Sequence, residues 1–550
     1  MAAKLRGNLN GLKPSQIKSA TRLYDRKFPN QGGFSLDQAR ELAKLTAWTS
    51  RQIGILVDRK GTPVMVIVGD HKGILIPELT RYRHSTGRLS GLRLVHTHLG
   101  DSLLSQEDLM DMVFLRLDSV CVLSVVDEEP ARAQWAHLLP PNADDKPYSV
   151  SESTAWSRVE FDFLAQAEAL EDELARTGQT LDLDPGTERA LLVSVDIRPR
   201  AAQETELLEL SALAKTAGVY VAGTFIQRVT AVNPRHILGK GKLAELEVAL
   251  LQKNASLVIF NAELSPTQMR NLSLITERRV IDRTQLILDI FAQHASTRAG
   301  KLQVEMAQLK YTLPRLIGQN RALSRLAGGI GGRGPGETRL ELDRRKIRDR
   351  IAHMERELEG VRRQRKTVRA RRTRDDVPIV GLVGYTNAGK STLLNTLTDS
   401  KVLAEDKLFA TLDPTSRRLR FPEDREVIFT DTVGFIRALP KELKQAFMAT
   451  LEELSEADLL LHVLDAGHPE ASMHVESVNG ILEDLGLGEA PRILVLNKWD
   501  LLDEAGRGRV ELDFPDGIPI SATDKSTLTL LTEAVLAKLG RITVSKEGYS

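Results

Sequence analysis

Eight consecutive residues, Gly384-Tyr385-Thr386-Asn387-Ala388-Gly389-Lys390-Ser391, fit the pattern G-x-x-x-x-G-K-[ST]. The glycines let backbone N–H groups turn inward around phosphate oxygens, and a helix opening directly behind them adds the positive end of its dipole. In that arrangement Lys390 reaches the terminal phosphates and the Ser391 hydroxyl binds Mg²⁺. The flanks agree: residues 378–383 read as a short buried strand, and Ser391-Thr392-Leu393-Leu394-Asn395 opens a helix. Further groups follow in the order a nucleotide site needs. Phe409-Ala410-Thr411-Leu412-Asp413-Pro414-Thr415 reads as a switch loop in which the Thr411 hydroxyl completes the Mg²⁺ shell. A strand over 427–430 ends in Asp431-Thr432-Val433-Gly434, where Asp431 can hold Mg²⁺ through water and the Gly434 N–H can meet a γ-phosphate. Lys390, Thr411 and Gly434 are therefore the groups expected around the transferring phosphoryl. Two core strands, 459–464 and 493–496, come next, and the second ends in Asn497-Lys498-Trp499-Asp500. Asp500 can accept from the N1–H and N2–H₂ of guanine, a donor pair that adenine lacks. Asn497 can tie the base loop to the phosphate loop, the Lys498 stem can lie on the ring, and Ser521-Ala522 can place a backbone N–H near guanine O6. Four matches in order, each at a strand end, specify a GTP/GDP-binding GTPase domain on a doubly wound sheet over residues 375–541.

A second set of chemically capable residues lies far upstream. Residues 52–58 and 64–69 read as strands around a turn, a third strand at 92–95 runs into His96-Thr97-His98, and 120–126 reads as another buried strand. Two histidines at i, i+2 after a strand, with Asp108 about one helical turn beyond Ser105, can ligate zinc. This pattern resembles the JAMM/MPN fold of metalloproteases and RadC-like proteins, whose motif is H-x-H-P followed by S-x-x-D. Leu99 stands in place of that proline, and the spacer from His98 to Ser105 is short for the family. Its catalytic glutamate, at the start of an early strand, is Gln52 here. An amide cannot act as the general base that a metal-bound water requires. The expectation is an α+β, JAMM-like domain over 1–185 without hydrolase activity. Residues 144–157 read as a loop and 161–176 as a polar helix leading into a linker.

The chain of 550 residues is long enough for three to four domains. Its formal charge of +1 supports no global electrostatic role, so nucleic-acid affinity would have to come from a local patch. Cys121 is the only cysteine, which excludes an intrachain disulfide and a Cys-based zinc site. The first residues carry no apolar signal-like run and no stretch is long enough to span a bilayer, so the expectation is a cytoplasmic monomer.

Between the two chemical sets, strands at 190–195, 220–225, 257–260 and 279–281 alternate with helices at 204–217, 242–251 and 265–276. That alternation implies a small parallel α/β domain over 187–300. Gly239-Lys240-Gly241-Lys242 reads as a helix-entry turn rather than a phosphate site. Leu302, Met306, Leu309, Leu313 and Leu316, and then Ile347, Ile351, Met354, Leu358 and Val361, repeat in steps of four and three. Each run is short, so an antiparallel helical hairpin is expected over 301–374, with Pro314 ending or kinking its first helix. The connection 328–338 is rich in glycine. The second helix is strongly basic, and from Arg362 through Arg374 it carries no acid. A Gly/Arg loop joined to a one-signed helix end favours RNA phosphates, with Arg333, Arg339, Arg362, Arg363 and Arg365 as the expected contacts.

The segments 328–343 (GGIGGRGPGETRLELD), 384–391, 409–415 and 431–435 together resemble HflX, a family of ribosome-binding GTPases of the translation-factor class. The resemblance covers about 187–541. It implies GTP hydrolysis, binding to the large ribosomal subunit, entry of the glycine-rich loop into the peptidyl-transferase region of its rRNA, and subunit splitting under stress. The long N-terminal third departs from many members, and no separate C-terminal domain is expected beyond a tail at 542–550. Phe435 stands where Ras-like proteins carry the glutamine that orients the attacking water, which implies slow intrinsic turnover. Asn387 resembles the phosphate-loop asparagine of potassium-activated GTPases, which helps hold K⁺ beside the phosphates.

Overall fold

The computed structural model describes residues 4–77, 89–140, 146–179, 187–316, 339–372, 377–398, 408–409, 415–421, 425–432, 434–437 and 452–547. The chain forms two compact units, one of residues 1–208 with 218–281, the other of 209–217 with 282–550.

The first unit contains two sheets. The strands of the first are β1 (Arg6–Gly7), β2 (Ile53–Asp58), β3 (Pro63–Val68), β4 (Leu92–Leu99), β5 (Ser119–Val126), β6 (Glu129–Leu138), β7 (Tyr148–Val150) and β8 (Thr154–Ala155). Their order is β1-β3-β2-β4-β5-β6-β7, with β8 beside β6. Only the β1–β3 and β4–β5 pairs are parallel among the registers described. One face packs with helix α2 (Leu36–Thr49) through Ile53, Ile55, Val57 and Val95. The other carries Leu56, Leu92 and Leu94 beneath helices α3 (Gln106–Phe114) and α4 (Phe163–Gln179). Two expectations change here. The histidines do not follow the third strand but lie within it, since β4 continues to Leu99. The segment 144–157 is not a plain loop, because β7 and β8 pair antiparallel with β6. Strand β6 itself, with a proline and two charged residues among ten, has no clean alternation to announce it; its neighbours on both sides make it a strand.

The second sheet has the order β10 (Tyr220–Arg228), β9 (Arg189–Asp196), β11 (Leu257–Phe260), β12 (Arg279–Asp282), and its β9 pairs are parallel. Helix α6 (Lys240–Gln252) serves both cores of this unit. Ala244, Val248 and Leu251 face the first sheet's core, while Leu243, Leu246 and Leu250 face the second. A helix apolar on opposite sides is the form expected between two buried layers. Gly239 is its N-cap, so the Gly/Lys pattern is a helix entry. Beside it, Arg116 Nε donates to Glu247 Oε1 at 3.0 Å and Arg116 Nη2 to the Thr276 carbonyl at 3.2 Å. Burial pushes the Glu247 carboxyl up to about 7, against the pull of Arg116 and Arg278.

The second unit holds the last turns of α5 (Arg200–Thr216), then α8 (Arg283–His294), the helical hairpin and a further sheet. Helix α9 (Arg298–Arg315) and the helix Arg339–Arg372 pack through Leu302, Met306 and Leu309 against Ile347, Ile351, Met354 and Leu358. Arg298 pairs with Glu357 and Glu305 with Arg350, so the partner number falls as the chain rises and the helices run antiparallel. Pro314 lies in the last turn of α9, which ends at Arg315.

The remaining sheet has the order β14 (Thr415–Phe421), β15 (Arg425–Asp431), β13 (Ile379–Gly384), β16 (Leu459–Asp465), β17 (Arg492–Asn497), β18 (Ile518–Pro519). All its pairs are parallel except β14 with β15. Val380, Leu382, Leu461 and Val463 form its core with Leu393 and Leu394 of the helix Lys390–Thr398 and Leu531 and Val535 of the helix Thr529–Glu547. That last helix runs through residues expected as a tail. This is the α/β, P-loop GTPase architecture.

Candidate functional site

Because β15, β13, β16 and β17 run parallel, Asp431, Gly384, Asp465 and Asn497 all reach the same edge of the sheet. The phosphate-binding loop turns there. Gly384 has φ +154°, and a Cβ on it would lie 2.2 Å from the Val463 carbonyl oxygen. Gly389 has φ +93°, and its Cβ would lie 2.2 Å from Asn497 Nδ2. Only glycine fits either position. Asn387 between them is left-handed at φ 60°. Lys390 is buried at the start of its helix, with Nζ donating to the Gly384 carbonyl at 3.0 Å and the Tyr385 carbonyl at 2.8 Å. Burial pushes its ammonium down to about 8, with Asp431 pulling the other way.

The Ser391 hydroxyl donates to Asp431 Oδ2 at 2.6 Å, and Asp431 Oδ1 accepts from the Thr432 N–H at 2.9 Å. Thr432 Oγ1 is tied to the Leu382 carbonyl at 2.6 Å. A hydroxyl and a carboxylate converging in this way fit Mg²⁺, which Ser391 and Asp431 would hold. The ion would supply neutralising charge for the phosphate oxygens. Thr392 lies in the helix first turn. Ala410, Thr411 and Val433 lie outside the described residues. Gly434 packs so closely that an added Cβ would meet Thr386 Cγ2 at 2.9 Å and Lys390 Nζ at 3.1 Å. The next residue, Phe435, is buried; its N–H donates to the Gly384 carbonyl at 3.0 Å and its carbonyl accepts from the Thr386 N–H at 2.7 Å. Its ring cannot orient a water. Phe409, left-handed at φ 60°, packs against Phe291 of α8 with ring centroids 4.6 Å apart.

On the base side, Asn497 Nδ2 donates to the Ala388 carbonyl at 2.7 Å and its Oδ1 accepts from the Ala522 N–H at 2.8 Å. One amide thus joins the phosphate loop, the Asn497–Asp500 loop and the Ser521–Ala522 loop. Lys498 spans to Asp465 Oδ2 at 2.7 Å, and Asp500 is exposed in the following turn. The Ala522 N–H donates to Asn497 Oδ1, and the Ser521 N–H to Thr527 Oγ1 at 3.0 Å. Sequence reasoning gave Tyr385 no role beyond its place in the loop. Its ring stacks on His474 with centroids 3.8 Å apart and planes 9° apart.

Three family models match the chain: GTP-binding GTPase N-terminal over 204–292, GTP-binding GTPase Middle Region over 294–372, and 50S ribosome-binding GTPase over 379–498. GTPase HflX of Caldanaerobacter subterraneus is 51% identical over 352 residues, covering 64% of this chain and 81% of that protein. GTPase HflX of Escherichia coli is 46% identical over 354 residues, covering 64% and 83%. The chain belongs to the HflX GTPase family. It is accordingly a GTP hydrolase. Among solved structures, a GTP-binding protein of Sulfolobus solfataricus in complex with GDP is 25% identical, with a TM-score of 0.36, covering 65% of this chain and 99% of that one. The three family models begin at residue 204, downstream of the N-terminal sheet.

In that sheet, β4 alternates its side chains, so His96 and His98 share the face of Leu92 and Leu94. Their Nε2 atoms are 3.1 Å apart. Asp108, in the first turn of α3, brings Oδ1 to 3.2 Å from His96 Nε2 and Oδ2 to 3.4 Å from His98 Nε2. Ser105 is the N-cap of that helix and donates its hydroxyl to Asp108 Oδ2 at 2.7 Å. Burial pushes the His96 imidazole below its usual value, towards the neutral form that ligates metal. Gly54 pairs with His96 in the antiparallel β2–β4 register, and Gln52 directly precedes β2. Gln52 is 5% exposed, and its Oε1 is buried without a hydrogen-bond partner.

The base-side geometry yields a direct test. Asp500→Asn reverses one donor–acceptor pair with guanine, at a cost of about 2–3 kcal/mol, or roughly a hundredfold in affinity. GTP binding should weaken by that factor while xanthosine triphosphate gains, as measured by nucleotide titration. Unchanged GTP affinity would remove Asp500 from the base site.

Proposed function

We propose that this GTPase acts in the cytoplasm on the large ribosomal subunit and its rRNA, and that its GTP state drives subunit dissociation or recycling under stress. The observation that carries the reading is the helix Arg339–Arg372, whose basic end is joined to a GTPase domain of the 50S ribosome-binding family model. Arg363, 80% exposed, pairs with Glu359 of its own helix at 3.5 Å, a solvated contact of the weak surface kind. Arg339, Arg362 and Arg365 belong to the same helix, but their side chains, like Arg333 and the whole connection 317–338, lie outside the described residues. On sequence grounds that glycine-rich connection is the effector segment, since glycines let backbone approach RNA closely. Only a difference in affinity between the GTP and GDP states can shift subunit association. Among the described residues no helix is long and apolar enough to cross a membrane. Asn387 is the residue proposed to help hold K⁺, which would stabilise charge where Phe435 offers no help to the water.

The N-terminal unit supports a second reading. Two imidazoles and a carboxylate whose ligand atoms all lie within 4.8 Å of one another suit zinc, and Asp108 is already braced by Ser105. Gln52, buried just before β2, is an amide with no basic lone pair to give, so the proposed role is metal binding without hydrolysis.

Cosedimentation with 50S subunits should be stronger with a non-hydrolysable GTP analogue than with GDP. Replacing 328–336 by a Gly/Ser linker of equal length should leave unstimulated hydrolysis intact and abolish subunit release on sucrose gradients. Retention without release in the unaltered protein would instead indicate a GTP-gated assembly or hibernation factor. Hydrolysis should be faster in K⁺ than in Na⁺ buffer; equal rates, with and without ribosomes, count against the cation. The purified protein should carry one zinc that is lost in His98→Ala. Peptide or isopeptide cleavage abolished by the same substitution would show a working hydrolase instead.

A further inference from the structure

We infer that Glu209 and Arg283 are positioning residues of the GTPase cycle: with Tyr385 and Arg437 they close a hydrogen-bonded ring that latches the segment 435–437 onto the phosphate-binding loop. The Tyr385 hydroxyl donates to Glu209 Oε1 at 2.5 Å and accepts from the Arg437 N–H at 2.8 Å. Glu209 Oε2 accepts from Arg283 Nη2 at 2.9 Å, and the same Nη2 donates to the Arg437 carbonyl at 3.2 Å. The four members come from four places: the last turns of α5, the start of α8, the phosphate loop, and the stretch after Gly434. All belong to the second unit.

The ring is built to hold. Tyr385 is 5% exposed and Arg283 9%, and charge-assisted bonds strengthen when water is excluded. Burial together with the Glu209 carboxylate raises the Tyr385 phenol's pKa, which keeps it protonated and therefore a donor. The stacked His474 ring fixes the phenol's plane, and burial pushes that imidazole down to about 4, so it adds no charge. The latched segment is also zipped to the loop by the two Phe435 main-chain bonds, and the Gly434 backbone lies against Thr386 and Lys390.

Lys390 and the Gly434 N–H are the groups that receive a γ-phosphate in this class of enzyme. Where Gly434 packs this tightly on both Thr386 and Lys390, a phosphoryl entering between them must displace 434–437. It then opposes the Arg437 bonds to Tyr385 and Arg283. GDP makes no such demand. The latch therefore biases the protein against GTP relative to GDP, and its release alters the side-chain partners of α5 and α8. A bias of this kind shifts populations only through the nucleotide that the two arrangements bind differently.

The inference rests on the GTPase assignment and not on the ribosomal role, so the test uses the full chain without ribosomes. Fluorescent GDP and a fluorescent non-hydrolysable GTP analogue are titrated against the parent protein, Glu209→Gln, Arg283→Lys and Tyr385→Phe. Glu209→Gln preserves shape, and Arg283→Lys provides an independent break should the first fold poorly. Either should tighten the GTP analogue by roughly fivefold with GDP affinity unchanged. Glu209→Gln combined with Tyr385→Phe should gain little beyond either single change, because both open one ring. If both nucleotides shift by the same factor, if neither shifts, or if the two changes add in full, the ring is scaffolding and the inference fails.

Discussion

A single buried amide organises the nucleotide end of this protein. Asn497 donates to the phosphate loop at Ala388 and accepts from Ala522, with Nδ2 at 2.7 Å and Oδ1 at 2.8 Å from its partners. Its two ends differ chemically, so it can satisfy one acceptor and one donor only in one orientation. That fixes three loops from three strand ends relative to one another. The clamp is tight enough to dictate sequence nearby, since Gly389 has no room for a Cβ against Nδ2. Loss of such a contact would leave a buried carbonyl and a buried N–H unpaired, a larger penalty than the bond's net worth.

The phosphate side follows the same economy of buried polar groups. Lys390, Ser391, Asp431 and Thr432 each have a partner, and each partner lies on a neighbouring strand end or the loop itself. Phe435 inverts the usual arrangement after the acidic strand end. It turns its ring into the protein and uses its backbone to continue pairing with the loop at Tyr385. The stretch after Gly434 is also held by a side chain from a helix outside the sheet, since Arg283 of α8 donates to the Arg437 carbonyl.

In the first unit the organising element is α6, which presents one apolar stripe to each of two sheets. The metal-competent cluster sits on the face of the first sheet that α6 helps to cover, reached through α3. A β-strand places alternate residues on one side, so His96 and His98 converge because their strand is straight and regular through Leu99.

The local chemistry of this protein is written in its sequence. Gly384 and Gly389 mark backbone turns that only glycine can make, Lys390 and Ser391 follow at the spacing a helix entry needs, and long apolar runs such as 459–464 announce buried parallel strands. These signals are legible because φ limits, hydrogen-bonding valence and side-chain period act within a few residues. The hairpin seam is legible for the same reason, since its repeat is set by one helix's own turn. Strands β6 and β14 were not: β14 carries three arginines in seven residues and becomes a strand only by pairing with β15. Nor could the sequence show that the Tyr385 hydroxyl donates to Glu209, 176 residues away, or that Arg283 reaches Arg437 across 154 positions. Nor did it show that the Ser521 and Ala522 N–H groups meet Thr527 and Asn497. Such partnerships depend on how helices and strand ends are brought together, and distance along the chain carries no record of that.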